Sequence, residues 1–347
     1  MGARAVEVPV ADGGDGTLDV LIGARPHAEA RITRHRVTGP LGHALTARLG
    51  WLRSDHAVVE LAEASGLRRV PAQALDALHA TSRGTGELIG IALEAGATRI
   101  LIGVGGSACT DGGAGLLQAL GACLTDSAGA AIGPGGAGLE SLASIDLSGL
   151  HPALEHSSLE VACDIRGPLL GASGAAMMFA AQKGASPGEV RRLEAAMSRL
   201  AAIAATVDTR DLAELPGSGA AGGCGFALAL AGARLLDGAG LVCDAAGLDG
   251  AFTGAALVIT GEGQIDAQTA TGKAPAEVAV RARRAGIPCA AIGGVVVDPL
   301  PELFSLTLAL GAFGEAMDPR RHARALLRRA SRQAVRDALD ARGGSPE

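Results

Sequence analysis

Tyrosine is absent from this 347-residue sequence, tryptophan occurs once, and aromatic residues make up 2% of the chain. A surface of stacked rings for single-stranded nucleic acid is thereby excluded. Net positive charge is missing too: the formal balance is −6, so the basic footprint of a duplex-binding protein is not there. No apolar run is long enough to cross a bilayer, the most hydrophobic stretches such as Cys289 to Val297 falling well short, and a soluble protein without membrane contact is expected. The first residues carry no charged-then-apolar leader, which points to the cytoplasm. The six cysteines, at 109, 123, 163, 224, 243 and 289, show no Cys-x-x-Cys spacing and read as reduced, buried thiols. Lysine is nearly absent: of 30 basic residues only Lys183 and Lys273 are lysine, the rest being arginine.

What is abundant is glycine, 52 residues with no collagen period, in a chain that is 48% hydrophobic. Strand-like and helix-like periods alternate with glycine at the corners, the pattern of an α/β protein. Strands are expected at Arg4 to Val10, Arg99 to Val104, Ala255 to Thr260 and Pro288 to Ile292, with the apolar segment Leu303 to Leu310 following them. Arg31 to Thr38, Ala44 to Leu49 and Ala57 to Ala62 read as antiparallel strands joined by turns. Helices are expected from Gly86 to Ala95, after Gly112, from Pro275 to Ala285 and from about Pro319 to Leu339. Ser186, Pro187 and Glu189 supply an N-cap, a first-turn proline and a capping-box acid for a helix through about Ala205. The two ends read as one discontinuous, doubly wound Rossmann- or flavodoxin-like domain, residues 1–30 and 255–347. Residues 31–254 form an inserted second α/β domain.

Five glycine-containing loops follow a strand or precede a helix. They are Ala11 to Thr17; Gly103 to Gly113; Cys163-Asp164 with Gly167 and Gly171; Gln182 to Ala185; and Thr260 to Asp266 with Thr271-Gly272-Lys273-Ala274-Pro275. Glycine lets backbone amides approach an anion, a helix N-terminus favours negative charge, and neighbouring carboxylates suit the magnesium that travels with a nucleotide. Any one of these loops is equally well an ordinary turn. Both lysines nevertheless fall inside them, and a compact ammonium is suited to a moving phosphoryl group.

Known short motifs fail. Ala267 stands where a Walker A loop ending at Gly272-Lys273 needs glycine, and Ser107 is followed by Cys109 where a nucleophile elbow needs glycine. Gly103, Gly105 and Ala108 match a relaxed dinucleotide fingerprint, with Asp126 at the later acidic position, but Asp111 at the helix start would repel a metal-free pyrophosphate.

Taken in order, Ala11 to Thr17, Val59-Glu60-Leu61-Ala62, Ala64-Ser65-Gly66-Leu67, Thr85 to Ile89, Gly105 to Ala108, Asp111 to Gly115, Val161 to Asp164, Gln182 to Ala185, Ile259 to Gly263, Ile265-Asp266 and Gly272 to Pro275 resemble the bacterial glycerate kinase family. The resemblance implies a two-domain α/β fold, ATP and Mg2+ as cofactors, and phosphorylation of D-glycerate at the 2-hydroxyl, giving 2-phosphoglycerate and ADP. It also implies an opening strand, loop and helix that the sequence does not show ahead of Asp12. Departures from the family pattern fall at Thr110, Arg166-Gly167 and Gln264. Within this reading, Asp111, Glu262 and Asp266 hold magnesium or position phosphate. Gly105, Gly106, Ser107, Gly261 and Gly263 cradle phosphate, and Lys273 offsets transition-state charge. Asp164 is a base or hydroxyl orienter, and Lys183 meets the substrate carboxylate. A homodimer is compatible with it. The alternatives are an impaired paralogue that binds an acidic metabolite without turnover and a nicotinamide-dependent oxidoreductase.

Overall fold

The computed structural model describes residues 4–23, 30–271, 273–298, 302–314 and 318–343. The chain forms two compact units, Ala11–Val242 and the pair of segments Met1–Val10 with Cys243–Glu347. Both are α/β. The expected boundaries at 30/31 and 254/255 differ from these. Residues 17–23 go with the middle unit because Leu18 and Leu21 are buried there: Gly50 has no Cβ, and one placed on it would sit 3.3 Å from Leu18.

The middle unit is built on a six-stranded sheet. β1 (Arg31–Thr38), β2 (Ala44–Arg53) and β3 (His56–Glu60) form an antiparallel meander in which β2 pairs with both neighbours, β1 at the sheet edge. β3 then pairs in parallel with β4 (Arg99–Gly103). β5 (Cys123–Thr125) and β6 (Ser144–Asp146) leave the sheet as a separate antiparallel pair. β7 (Ser158–Cys163) and β8 (Arg234–Asp237) complete the parallel half in the order β3-β4-β7-β8. Ile100 to Gly103 of β4 are all buried, which is why this strand reads as an unbroken apolar run rather than an alternation.

The crossover from β3 to β4 is the helix Arg83–Glu94, which buries Leu88, Ile89, Ala92 and Leu93 against Val59, Ile100 and Ile102. A second core gathers Leu117, Leu139, Leu193, Met197, Leu200 and Phe226. Its longest helix, Pro187–Ala204, has the expected capping box: Ser186 Oγ accepts from Glu189 N, and Glu189 Oε2 accepts from Ser186 N at 2.8 Å. Leu193, Ala196, Met197, Leu200 and Ala204 then repeat at helical spacing on the buried face.

The other unit holds a parallel three-stranded sheet in the order β11-β10-β9, where β9 is Val258–Ile265, β10 Cys289–Val296 and β11 Leu306–Ala309. Helices Ala274–Arg284 and Pro319–Gly343 accompany it. Two expectations are corrected. Residues Arg4 to Val10 form no strand; their alternating valines are accounted for by Val8 and Val10 packing on the cluster of Cys243, Val278 and Cys289. β9 does not stop at Thr260: it continues through Gly261, Glu262, Gly263 and Gln264, with Gly261 paired to Ile292 and Gln264 to Val295. Among the described residues no helix is long and apolar enough to cross a membrane.

Candidate active site

Three glycine-rich loops of the middle unit meet at the carboxyl ends of its parallel strands, the ligand-binding edge of open α/β sheets. The loop after Val10 lies across the ends of β4 and β7: Gly105 N donates to Gly13 O at 3.2 Å, and a Cβ on Gly13 would come within 2.6 Å of Ala162 O. Gly105 lies so close to Gly14 that a Cβ on it would sit 2.4 Å from the Gly14 Cα. Ser65-Gly66-Leu67, which follows β3, pairs with the loop that follows β4: Leu67 N donates to Gly106 O at 2.8 Å and Ala108 N to Ser65 O at 2.9 Å. These bonds use the Gly105 amide and the Gly106 carbonyl. The Gly106 and Ser107 amides have no partner among the described residues.

Asp111 is fully buried, and its two oxygens are taken up by the protein. Oδ2 accepts from Ser82 N and Ser82 Oγ, both at 2.8 Å, and from Gly115 N at 3.3 Å, while Oδ1 accepts from Gly113 N at 3.1 Å. Burial pushes its pKa up, and the hydrogen bonds from Ser82, Gly113 and Gly115 oppose that rise. A carboxylate with four donors and no exposure fits an organiser of the helix start at Ala114 better than the exchangeable metal ligand expected from the sequence. Cys109, Asp111 and Cys224 do lie within 4.8 Å of one another, and the two Sγ atoms are 3.7 Å apart. The carboxylate's engagement and the Lys183 ammonium beside these groups speak against a cation there.

Lys183 is 3% exposed. It ends the turn Ala181–Lys183, where Gly184 at φ 100° reverses the chain. Its Nζ donates to Ser107 Oγ at 2.8 Å and to Cys109 O at 2.6 Å. Burial lowers its pKa, which Cys109, Cys224 and Asp111 partly offset. The expectation that Lys183 reaches the substrate carboxylate is not supported by this placement; the ammonium is spent on the loop that carries Ser107. The segment against Cys109 is itself tight. A Cβ on Gly222 would meet Cys109 O at 2.2 Å, and Ala221 is held at φ 54°, the one non-glycine residue with positive φ among those described.

Beside this lies a carboxylate and arginine group that sequence reasoning did not single out for chemistry. Glu60 is wholly buried at the end of β3 and caps the helix Thr17–Gly23, accepting from Gly16 N and Leu18 N, each at 3.1 Å. Burial raises its pKa, against the lowering effect of those amides and of Arg68. Glu63, 1% exposed, takes Arg48 N at 3.1 Å, the Arg48 guanidinium at 2.9 Å, Arg69 at 2.9 Å and Arg68. Its burial is outweighed by Arg48 and Arg69, so its pKa falls. The available signal was Glu60 within an otherwise apolar strand end, a position where an unpaired carboxylate is not tolerated. Asp164, the expected base, follows β7 directly and is half-buried at the same edge of the sheet.

In the other unit the expected residues Glu262, Asp266 and Lys273 come together. Lys273 Nζ lies 3.2 Å from Glu262 Oε2, Thr269 Oγ1 donates to Glu262 Oε1 at 2.6 Å, and Asp266 N donates to Thr269 Oγ1 at 3.1 Å. Gln264 Nε2 donates to Asp266 Oδ2 at 2.6 Å. The side chains of Lys273 and Glu262 are 31% and 19% exposed, so this pair can exchange its partner for a ligand. Lys273 also stands at the N-cap of Ala274–Arg284 with Pro275 inside the first turn. Gly261 and Gly263 are strand residues rather than a phosphate loop: a Cβ on Gly261 would meet Ile292 O at 2.2 Å, so its smallness serves the pairing with β10. Gly272 lies outside the described residues.

Comparison with known proteins adds three findings. A model of the glycerate kinase family matches residues 1–338. The glycerate 2-kinase of Escherichia coli (strain K12) is 45% identical over 326 residues, 90% of this chain and 84% of that protein, and the glycerate kinase of Bacillus subtilis (strain 168) is 46% identical over 297 residues, 85% of this chain and 77% of that one. A crystal structure described as glycerate kinase 2 from Salmonella typhimurium LT2 superposes with a TM-score of 0.78 at 45% identity, covering 89% of this chain and 81% of that one.

Proposed function

The chain belongs to the glycerate kinase family, and we propose that it transfers the γ-phosphoryl group of ATP to the 2-hydroxyl of D-glycerate, giving 2-phosphoglycerate and ADP. The observation that carries this reading in the structure is the loop Gly105-Gly106-Ser107 at the end of β4, with two amides open and a buried ammonium beneath it. Such a loop takes phosphate oxygens through backbone donors without a Walker motif.

In this reading Gly106 N, Ser107 N and Ser107 Oγ hold phosphate oxygens. Asp164 orients the attacking hydroxyl of glycerate and accepts its proton. Lys273 leaves Glu262 for the transferring phosphoryl group and balances charge that grows in the transition state. Glu262 and Asp266, with the Thr269 hydroxyl beside them, offer hard oxygen donors of the kind magnesium takes, and are the residues that would hold it. The ion supplies neutralisation of phosphate charge when bound with the nucleotide. Asp111 is withdrawn from the metal set and assigned to loop architecture, and Gly261 and Gly263 are withdrawn from the phosphate cradle. The enzyme acts in the cytoplasm, where ATP is at hand.

The test is product identification by 31P NMR after incubation with Mg-ATP and either enantiomer of glycerate. The reading expects ADP and 2-phosphoglycerate from the D form. Formation of 3-phosphoglycerate would overturn the regiochemistry. ATP left intact with both enantiomers, while either one raises the melting temperature, would favour a paralogue that binds without turnover.

A further inference from the structure

We propose that Lys183 is a positioning residue that acts through Ser107, fixing the serine hydroxyl as a one-way donor to a phosphate oxygen of the nucleotide. The inference rests on the phosphoryl-transfer reading above and assigns to a buried lysine a task other than contact with substrate.

A serine hydroxyl has a single proton and two acceptor lone pairs, and it rotates to suit its partners. An ammonium has protons only. When Lys183 Nζ donates to Ser107 Oγ at 2.8 Å, the serine must accept, and its own proton is turned away from the lysine. The same ammonium donates to Cys109 O at 2.6 Å, which ties it to the chain on the far side of Ala108. Ser107 cannot swing freely either, because its backbone is bridged to Gly66, with Leu67 N on Gly106 O and Ala108 N on Ser65 O. Lys183 is 3% exposed and Ser107 8%, so the serine is the more exposed of the two. A hydroxyl polarised by an ammonium is a stronger donor than a free one. The positive charge is felt at the loop while the amine stays out of water, and the pair needs no rearrangement when phosphate binds.

Asp111 makes the arrangement tolerable. It lies close enough to favour the charged amine electrostatically, yet its oxygens are held by Ser82, Gly113 and Gly115 and do not compete for the lysine's protons.

A double-mutant cycle read in glycerate-dependent ADP release tests the proposal, with melting temperature recorded for each protein. Ser107→Ala should lower kcat/KM for Mg-ATP by about 10- to 100-fold, and Lys183→Met by a similar factor. The double variant should be no more than about threefold worse than the weaker single, because one path is cut twice. Losses that multiply would overturn the proposal, since Lys183 would then act by a route that bypasses Ser107. Ser107→Ala with unchanged kinetics would overturn it as well. If Lys183→Met does not fold, Ser107→Thr decides: activity restored to near wild type supports a required hydroxyl, and activity no better than Ser107→Ala contradicts it. Absence of ADP release from the wild-type protein is a different failure, that of the kinase reading, and appears in the same assay before any variant is made.

Discussion

The two lysines of this chain occupy glycine-rich segments of similar composition and meet opposite conditions. Lys183, in the middle unit, is sealed among neutral oxygen acceptors, with a fully bonded carboxylate nearby. Lys273, in the other unit, is about one-third exposed and paired with a half-buried Glu262 within strand β9. A buried amine is costly to uncover and is therefore useful for holding a loop in one shape. A half-exposed ion pair is worth little to stability and can trade its partner for a ligand at small cost. Residue type and local composition are the same in both places; what separates the two lysines is burial.

Breaking the buried side should have the largest effect on stability. Asp111→Ala removes the acceptor for Ser82, Gly113 and Gly115 at once, and a loss of roughly 3 kcal/mol or more is expected in urea unfolding of the middle unit. Glu262→Gln at the exposed pair should change unfolding by less than about 1 kcal/mol. Equal losses would mean that burial does not separate the two carboxylates.

The pH dependence sharpens the comparison inside the middle unit. Arg48 and Arg69 hold Glu63 below its ordinary pKa near 4.5, so its stabilisation is complete above that value and is lost as pH falls through the lowered folded pKa. Glu63→Gln should therefore cost stability at pH 7, with the gap to wild type closing in acid. Glu60 has the reverse sign. Burial raises its folded pKa, so its proton favours the folded state, and that advantage fades as pH rises through the folded value. From pH 3 to pH 8, the differences in melting temperature between wild type and the two Glu→Gln variants should slope in opposite directions.

The smallest effect belongs to a feature far from chemistry. Ser186→Ala removes the capping box of Pro187–Ala204 and should cost about 1 kcal/mol, read as a lower melting temperature with unchanged kcat.

Local signals carried much of the fold. Ser186, Pro187 and Glu189 announced their helix, the antiparallel run from Arg31 to about Glu60 was visible in its turns, and the apolar stretch at Ile100 marked a central strand. Glycine misled where it serves pairing rather than looping. Gly261 and Gly263 look like turn residues, and only the neighbouring β10, a non-local partner, makes them strand. Val8 and Val10 show a strand's alternation but spend it on packing, without a ladder. For the site, the glycine-containing loops and the scarcity of lysine marked Lys183, Ser107 and Asp111 as chemically loaded and could not tell that Lys183 and Asp111 are buried among protein partners. Glu63 was missed because its three arginine partners come from β2 and from the turn after Gly66, a convergence that no window of sequence contains.

The proposed phosphoryl transfer assigns Lys273 to the charge that grows in the transition state. The direct measurement is kcat for ADP release with D-glycerate and saturating Mg-ATP, wild type against Lys273→Ala, with melting temperatures taken alongside. A fall of about 10²- to 10³-fold with little change in melting is the predicted result. A variant that keeps the wild-type kcat would contradict it.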